Sequence, residues 1–367
     1  MTELWPITIG SIILAFLADK TEYYTLRKRC KLSTIITVLL AAIMILFVGL
    51  RVHYNDTDTY IHSYVNTTET SLRDVSWELG SNPGYNIVRI LFFNLGMSSQ
   101  TYLLAYAAAT VGIHVWFLKK YSTNFFLSII LFIMTGAFTS CLAAMKQCMA
   151  IAFCLIATDR IISRRYIRAF IWIGVASLFH PYALMYLIVP FMRFRPWSRK
   201  TVMMIGIFAA CGILLESLLG TVVSVTSMIG EEYTVEAFSG DGVNPFRLIV
   251  CAVPIAISWL TRKIIKIENN SIQNLMLNLA MVNAEIMFVA LFGTANYFAR
   301  LANYFIVFQS LALPWLFTHF EHKSRRAMEI CAVLCYTAYF YYANKINQPF
   351  DSLYFAISFA QYLKSFF

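Results

Sequence analysis

The sequence predicts an all-α, polytopic integral membrane protein, and two properties support that prediction. Hydrophobic residues make up 59% of the 367 residues, charged residues only 13%, and the mean hydropathy is +0.65. A soluble domain is about half apolar and a quarter charged. The apolar residues also fall in runs that can cross a bilayer as helices, each needing about 20 residues. We therefore expect a single transmembrane domain over residues 1–367, with no large soluble domain.

About twelve runs qualify as spans. The first has no basic region before it and no small-residue cleavage site after it, so we expect a retained helix rather than a signal peptide. The predicted spans are residues 6–18, 33–50, 101–118, 122–140, 146–161, 166–180, 182–192, 201–219, 246–261, 271–292, 297–318 and 327–343.

The lysines and arginines predict which side of the membrane each loop faces. Most of the 29 lie in the loops that follow the odd-numbered spans, within residues 20–31, 119–120, 160–168, 193–200, 262–266 and 323–326. Basic loops usually face the cytoplasm, so this alternation places both termini outside. It also accounts for the net charge of +10 without nucleic acid as a partner.

Three further segments are predicted outside. Residues 51–100 are a long external segment, in which 84–97 is expected to be a short interfacial or re-entrant helix because it is brief and contains Arg89. Residues 220–245 are expected to form an external loop. The C-terminal residues 344–367 are expected to form an amphipathic helix on the outer leaflet.

Polar residues from distant parts of the chain gather at this predicted outer edge. Ionisable groups near membrane depth are costly, so they are usually paired or functional. The set comprises Arg51, His53, Asp56, Asp58, Glu78, Lys146, His180, Tyr297 and Arg300, beside acidic residues of the 220–245 loop.

The chemistry of this set suits recognition of a lipid-linked phosphate or pyrophosphate. Arg51 and Arg300 can each bind phosphate oxygens in a bidentate way. Lys146 begins a predicted helix, where backbone N–H groups also favour an anion. A carboxylate such as Asp58 can act as a base toward a sugar hydroxyl, and His180 can move a proton or orient a sugar.

Structural explanations stay open beside these functional ones. Arg51 can snorkel at a helix end, Asp56 and Asp58 can cap turns, and Glu78 can pair with Arg73. The lysine and the histidine can likewise be helix-end residues. The "DTD" triplet at 56–58 is a weak metal pattern, and none of the eight cysteines forms a CxxC pair. We therefore predict no metal and no cofactor.

In order along the chain, five short motifs resemble the EpsG-type branch of the Wzy-like bacterial polysaccharide polymerases. They are Arg51 with "DTDTY", which puts Asp58 at the family aspartate and Asp56 at the usual glycine; Glu78 with "PGY" at 83–85; "KQCMA", with Lys146 in place of an arginine; "FHP" at 179–181; and Arg300 followed by Tyr304 and Phe305. The resemblance covers roughly residues 45–315.

This resemblance implies a metal-independent, GT-C-like glycosyltransferase in the bacterial cytoplasmic membrane with its active face outside. Such an enzyme transfers a growing chain from undecaprenyl pyrophosphate to the non-reducing end of an incoming lipid-linked repeat unit. Donor and acceptor are both lipid-linked, and a flippase and a chain-length regulator are expected partners.

The roles expected in that reaction follow from the residue types. Arg300, Lys146 and Arg51 would hold the pyrophosphate and stabilise its charge as it leaves. Asp58 or His180 would activate the acceptor hydroxyl. The residues expected to position sugars are Glu78, Tyr60 and Tyr297, with Asp56 as a further binding residue.

Three rival functions remain open at this point, and the third, a non-catalytic membrane scaffold, would leave the outer arginines unexplained. A flippase for lipid-linked oligosaccharide needs charges along a central passage, whereas here only Glu285 is clearly central. Another outer-face transferase, such as an O-antigen ligase or a lipid-phosphate-sugar glycosyltransferase, would use the same polar face.

Overall fold

The computed structural model describes residues 1–24, 31–228, 230, 243–293 and 295–364, and these residues are mostly helical. Their α-helices are α1 (Leu4–Tyr24), α2 (Lys31–Gly49), α3 (Thr57–Val65), α4 (Pro83–Asn94), α5 (Ser99–Tyr121), α6 (Phe125–Met134), α7 (Ala137–Ala143), α8 (Met145–Ile162), α9 (Tyr166–Ser177), α10 (Arg199–Ile213), α11 (Leu215–Met228), α12 (Pro245–Leu260), α13 (Arg262–Glu268), α14 (Ser271–Val289), α15 (Ala295–Asn303), α16 (Gln309–Phe317), α17 (His322–Tyr341), α18 (Phe350–Leu353) and α19 (Phe359–Lys364). The remaining elements are 3-10 segments at Leu72–Asp74, Leu79–Ser81, Pro181–Met192 and Ile306–Phe308, a π-helix at Tyr342–Asn347, and the strands β1 (Arg51–His53) and β2 (Phe355–Ala356).

Among the described residues, four helices are long and apolar enough to cross a membrane. They are α1, α2, α5 and α14. Three bent pairs raise the number to seven if each pair is one span: α6 with α7 (49°), α10 with α11 (96°) and α12 with α13 (72°). The prediction of an all-α membrane protein is therefore confirmed. The count of twelve spans stays a prediction.

Several predicted spans contain a break at a residue that cannot continue a straight helix. Gly136 separates α6 from α7 with a φ of 88°, a left-handed conformation that glycine adopts without strain. The predicted span 182–192 is a 3-10 helix that begins at Pro181 and contains Pro190, which has no N–H to donate. The predicted span 297–318 is divided among α15, a 3-10 turn and α16.

Small residues let the long helices approach closely. At Gly49, an added Cβ would lie 2.9 Å from the Cα of Leu104, so the backbones of α2 and α5 meet there without an intervening side chain. Close backbone contact of this kind is how helices associate in lipid, where the surrounding hydrocarbon provides little hydrophobic driving force.

Polar contacts join the six basic loops to one another. Glu22 pairs with Lys119; Lys120 pairs with Asp159; Arg193 donates to the Ile161 carbonyl (2.7 Å); Arg195 donates to Asn269 (3.0 Å); and Glu268 pairs with His319 (2.7 Å). These contacts link each basic loop to the next one along the chain. The six loops therefore lie at one end of the bundle, which we call the basic end. The positive-inside rule predicts that this end is cytoplasmic.

The external segments differ in part from the predictions. In residues 51–100 the structure has α3, two 3-10 turns and α4, and α4 is too short to span, as expected for 84–97. The first part of the predicted loop 220–245 is helical, within α11, while residues 229 and 231–242 lie outside the described residues.

The C-terminal segment is not the single amphipathic helix predicted for residues 344–367. In the part that the structure describes, the π-helix is followed by Pro349, the short α18, β2 and the short α19. Proline breaks the helix, and β2 then pairs antiparallel with β1, so that Arg51 lies opposite Ala356. The segment therefore packs over the start of the 51–60 segment.

A close approach at Gly84 fixes α4 against the turn that follows α9. The Gly84 N–H donates to the Leu178 carbonyl (2.8 Å), and an added Cβ would lie 2.9 Å from the Phe179 ring. The "PGY" and "FHP" motifs therefore pack together although they are far apart in sequence. His180 directly follows Phe179, so this contact helps to position it.

We expect Gly84→Ala to lower the free energy of unfolding by about 1–3 kcal/mol, because the new methyl group has no room against Phe179. The matched control is Gly174→Ala in α9, where an added Cβ meets nothing within 4 Å. That control should leave stability unchanged or raise it by up to about 1 kcal/mol. Thermal unfolding of the purified variants in detergent checks this, and equal midpoints for the two variants would contradict it.

Candidate functional site

A cavity of about 1000 Å³ lies at the helix ends opposite the basic end. The helices α8 and α12 begin beside it and reach the basic loops at their other ends. We call it the cationic cavity. It is lined by Asn55, Asp56, Thr59, Tyr60, Asn82, Ala143, Ala144, Lys146, Gln147, His180, Arg247, Ala299, Arg300, Asn303 and Gln348.

The Arg51 side chain supports the turn that brings residues 55–60 to this cavity. Its Nε donates to the Thr57 hydroxyl (3.0 Å) and its Nη1 to the Val48 carbonyl (2.5 Å), while the Thr57 hydroxyl donates to the Tyr54 carbonyl (2.7 Å). Asn55 then takes a left-handed φ of 46°, which asparagine tolerates well. The buried guanidinium of Arg51 therefore stabilises the conformation of this turn.

This places Arg51 differently from the sequence-based prediction. The side chain is 1% exposed and does not line the cavity. Burial lowers the pKa of Arg51 to about 10, so the group still carries its charge at neutral pH. In this structure Arg51 therefore does not reach a phosphate bound in the cavity.

The two aspartates of the "DTD" triplet face different surroundings. Asp56 lines the cationic cavity, and although it directly precedes α3, its side chain makes no capping hydrogen bond. Asp58 lies two residues further along the chain, in the first turn of α3. Its Oδ2 is 2.5 Å from the His53 Nδ1, and its side chain is 61% exposed. Asp56 is therefore the aspartate of the triplet that a ligand in the cavity would meet.

Lys146 lies at the start of α8, which forms another wall of the cavity. Its Nζ lies 4.4 Å from the centre of the Tyr85 ring, a cation–π contact, and its backbone hydrogen-bonds with Tyr60. Burial, and next the Asp56 carboxylate, raise the pKa of Tyr60, so its hydroxyl stays protonated and can donate. Lys146 and Tyr60 thus both line the cationic cavity.

Two arginines complete the charge of the cavity. Arg300 lies exposed in α15, and its backbone carbonyl accepts a hydrogen bond from the Gln147 side chain, which ties α15 to the start of α8. Arg247, in the first turn of α12, donates from Nη2 to the Asn303 side chain (3.2 Å). With Lys146, three cations therefore surround one cavity.

His180 lies in the turn between α9 and the 3-10 helix that begins at Pro181, outside both helices. Its ring packs edge-on against Tyr182, with 4.6 Å between ring centres. Burial, and next the positive charges of Arg300 and Lys146, lower the pKa of His180 to about 3. The imidazole is therefore neutral at pH 7 and can donate or accept a hydrogen bond.

Two other predicted binding residues do not line the cavity. Glu78 is exposed and precedes the 3-10 turn Leu79–Ser81, where its carbonyl accepts from Ser81 (3.0 Å). Tyr297 is half-buried and packs edge-on against Tyr182, with 5.4 Å between ring centres. Tyr297 therefore contacts a neighbour of His180 rather than the cavity itself.

The structure also adds residues that the sequence-based set lacks. Arg247 and the amides of Asn55, Asn303 and Gln348 all face the cavity, and Gln348 donates to Asn55 (3.1 Å). Arg247 could have been identified from the sequence, because it is a cation at the predicted outer end of span 246–261. The amides could not, since neutral polar residues near loops are common.

A second cavity of about 500 Å³ adjoins the first, and we call it the amide cavity. The two share Asn55, Ala143, Arg247, Asn303 and Gln348 as lining residues. The other polar side chains of the amide cavity are neutral, and amides and tyrosines predominate: Tyr54, Asn244, Tyr339, Tyr342, Asn344 and Asn347. Side-chain amides and hydroxyls of this kind can hydrogen-bond sugar hydroxyls.

The chain matches a known protein family. The model of the EpsG family matches residues 34–362, nearly the whole chain. This match confirms the resemblance drawn from the five motifs. No curated protein and no solved structure matches the chain.

We expect Arg51→Ala to lower the free energy of unfolding by about 2 kcal/mol or more, because it removes two hydrogen bonds from a charged donor and leaves a void. Arg300→Ala, at an exposed position in the same region, should change it by less than about 0.5 kcal/mol. Denaturation midpoints in detergent check both values. Equal losses would show that Arg51 is not the support that its contacts indicate.

Proposed function

We propose, from the premise that this chain belongs to the EpsG family, that it is a membrane glycosyltransferase that polymerises lipid-linked oligosaccharide repeat units. Family membership and the apolar helices point to a polysaccharide polymerase in a membrane. The finer proposal is that both substrates are carried on undecaprenyl pyrophosphate, at the outer face of the bacterial cytoplasmic membrane.

The observation that carries this proposal is the cationic cavity, where Lys146, Arg247 and Arg300 line one space together with Asp56. A pyrophosphate leaving group gains negative charge as its bond to the sugar breaks. Positive groups already fixed at that position stabilise the charge as it develops. Two of the three are arginines, whose planar guanidinium can bind two phosphate oxygens at once.

The reaction balances with the groups present. The bond between the anomeric carbon of the growing chain and the pyrophosphate oxygen breaks, and its electron pair leaves with the pyrophosphate. A hydroxyl oxygen at the non-reducing end of the incoming unit forms the new bond to that carbon. The hydroxyl proton passes to a carboxylate, and among the described residues Asp56 is the one that lines the cavity.

The neutral groups of the cavity suit the sugar rather than the phosphate. His180 is neutral and can hydrogen-bond a hydroxyl, while Tyr60 keeps its proton and can donate. The amides of Asn55, Asn303 and Gln348 offer both donors and acceptors. We propose that these groups orient the acceptor hydroxyl toward the anomeric carbon.

The external location of the reaction rests on the charges at the other end of the protein. The basic loops are joined at the basic end, and basic loops face the cytoplasm. The cationic cavity then opens outside, where lipid-linked units arrive after a flippase has moved them. A ligase at the same face is the main alternative, because it would break the same sugar–pyrophosphate bond.

The proposal is tested by the surface glycan of a strain that lacks the gene. We expect its polymer ladder to collapse to single lipid-linked repeat units, and wild-type protein to restore the ladder. Arg300→Gln and Arg247→Gln should each reduce polymer by about 10²-fold or more, since each removes one donor to the developing charge. The measurement is gel electrophoresis of glycan beside an immunoblot of the membrane fraction.

The same gel separates the alternatives. Normal polymer from Arg300→Gln would contradict the assignment of the cavity. Full-length ladders that are not attached to their final acceptor would indicate a ligase, and repeat units trapped inside the cell would indicate a flippase.

The two aspartates give a second test. We expect Asp56→Asn to lower polymer formation by about 10²-fold or more, because it removes the carboxylate that lines the cavity. Asp58→Asn should have the smaller effect, within about tenfold, because Asp58 contacts His53 at the surface. Both variants keep side-chain size and are measured in the complemented strain. The reverse order would place the base at Asp58.

A further inference from the structure

An apolar groove lies between α12 and α17, beside the polar cavities. It has a volume of about 370 Å³, and we call it the α12–α17 groove. One wall is Phe246, Ile249 and Val250 of α12. The other is Cys335, Ala338, Tyr339 and Tyr342, whose spacing of three, four and seven residues forms one stripe along α17 and its continuation.

Hydrogen bonds between the walls give the groove a fixed width. The Tyr336 hydroxyl donates to the Val250 carbonyl (3.0 Å) at one position, and the Asn244 amide donates to the Tyr342 hydroxyl (2.8 Å) at another. The rings of Phe246 and Tyr342 lie 5.5 Å apart between their centres. The groove is therefore a built feature of this helix pair.

The groove opens at the surface of the helix bundle. Phe246 is 60% exposed and Ile249 is 61% exposed, and large apolar side chains of this kind are suited to contact hydrocarbon in a membrane. Such a surface suits an alkyl or isoprenoid chain.

What distinguishes this groove is its continuity with the charged site. Tyr339 and Tyr342 line both the groove and the amide cavity, and the amide cavity shares Arg247 with the cationic cavity. Phe246 and Arg247 are consecutive residues, one facing the groove and the other facing both cavities. An apolar path therefore leads directly to a cation.

Another apolar groove, between α6 and α17, serves as a comparison. It has a volume of about 350 Å³ and includes Leu127, Ile130, Ile330, Val333 and Leu334. It lies toward the start of α17, beside Arg326, and shares no lining residue with either polar cavity. A lipid in that groove could not place its head group at Arg247.

We propose that the α12–α17 groove holds the isoprenoid chain of the lipid-linked pyrophosphate, with the pyrophosphate placed at Arg247. This proposal rests on the proposed function and adds where the carrier enters. The ligand that fits is an amphiphile with a hydrocarbon chain on one side of Tyr339 and Tyr342 and an anionic head group on the other. The carrier then stays in the membrane while its pyrophosphate enters the cavity from the side.

The test compares two probes with purified full-length protein in nanodiscs: undecaprenyl pyrophosphate, and inorganic pyrophosphate, which has no chain. Ile249→Trp fills the groove from α12 and should weaken undecaprenyl pyrophosphate binding about tenfold, a loss of about 1.4 kcal/mol. It should leave inorganic pyrophosphate binding within about twofold, because the cations are untouched. Ala338→Leu narrows the same groove from α17 and should act in the same direction.

Ile330→Trp is the matched control, since it places the same bulk in the α6–α17 groove at a similarly exposed isoleucine. It should leave both affinities within about twofold. A selective loss of undecaprenyl pyrophosphate in either groove variant supports the proposal. Unchanged affinity in both variants overturns it and leaves the proposed function intact, because the groove then holds ordinary lipid. Wild-type protein that binds neither probe would instead contradict the proposed function, and the groove proposal with it.

Discussion

The cost of placing a charged side chain in hydrocarbon, several kcal/mol, determines how this chain arranges its polar residues. Most charged side chains lie toward the two ends of the helix bundle. At the basic end they pair with one another, as Lys120 does with Asp159 and Glu268 with His319. At the other end Lys146, Arg247 and Arg300 line the cationic cavity together. An anionic ligand is what such a space favours.

Much of this arrangement follows from the sequence, because loops of one charge sign alternate along the chain. The alternation predicted which segments share an end, and the contacts between consecutive basic loops agree with it. It also brought Lys146, His180 and Arg300 to the other end, where one cavity contains all three. The end of the bundle that each of these residues reaches depends on the direction in which its helix runs. Hydropathy and charge can indicate that direction.

The sequence could not predict features that depend on the rotation of a helix about its axis or on the local backbone conformation. Asp56 and Asp58 are two residues apart, so at the start of α3 they point in different directions, and the left-handed turn at Asn55 selects Asp56 for the cavity. Arg51 has the residue type of a phosphate ligand, yet the Val48 carbonyl and Thr57 hold its guanidinium inside the fold. Residues Phe355–Ala356 of the C-terminal segment likewise form β2, because β1 offers an unpaired edge.

A cavity at the end of the bundle also suits the two lipid-linked substrates of the proposed reaction. Their carrier would stay in the membrane, whereas their sugar and pyrophosphate would stay in water, so the proposed reacting bond would lie at the boundary. At the start of α12, Phe246 lines the α12–α17 groove and the next residue, Arg247, lines both cavities, so the apolar and polar surroundings meet within one residue of the helix. The π-helix that follows α17 contributes to the same boundary: Tyr342 lines the groove, and Asn344 and Asn347 line the amide cavity.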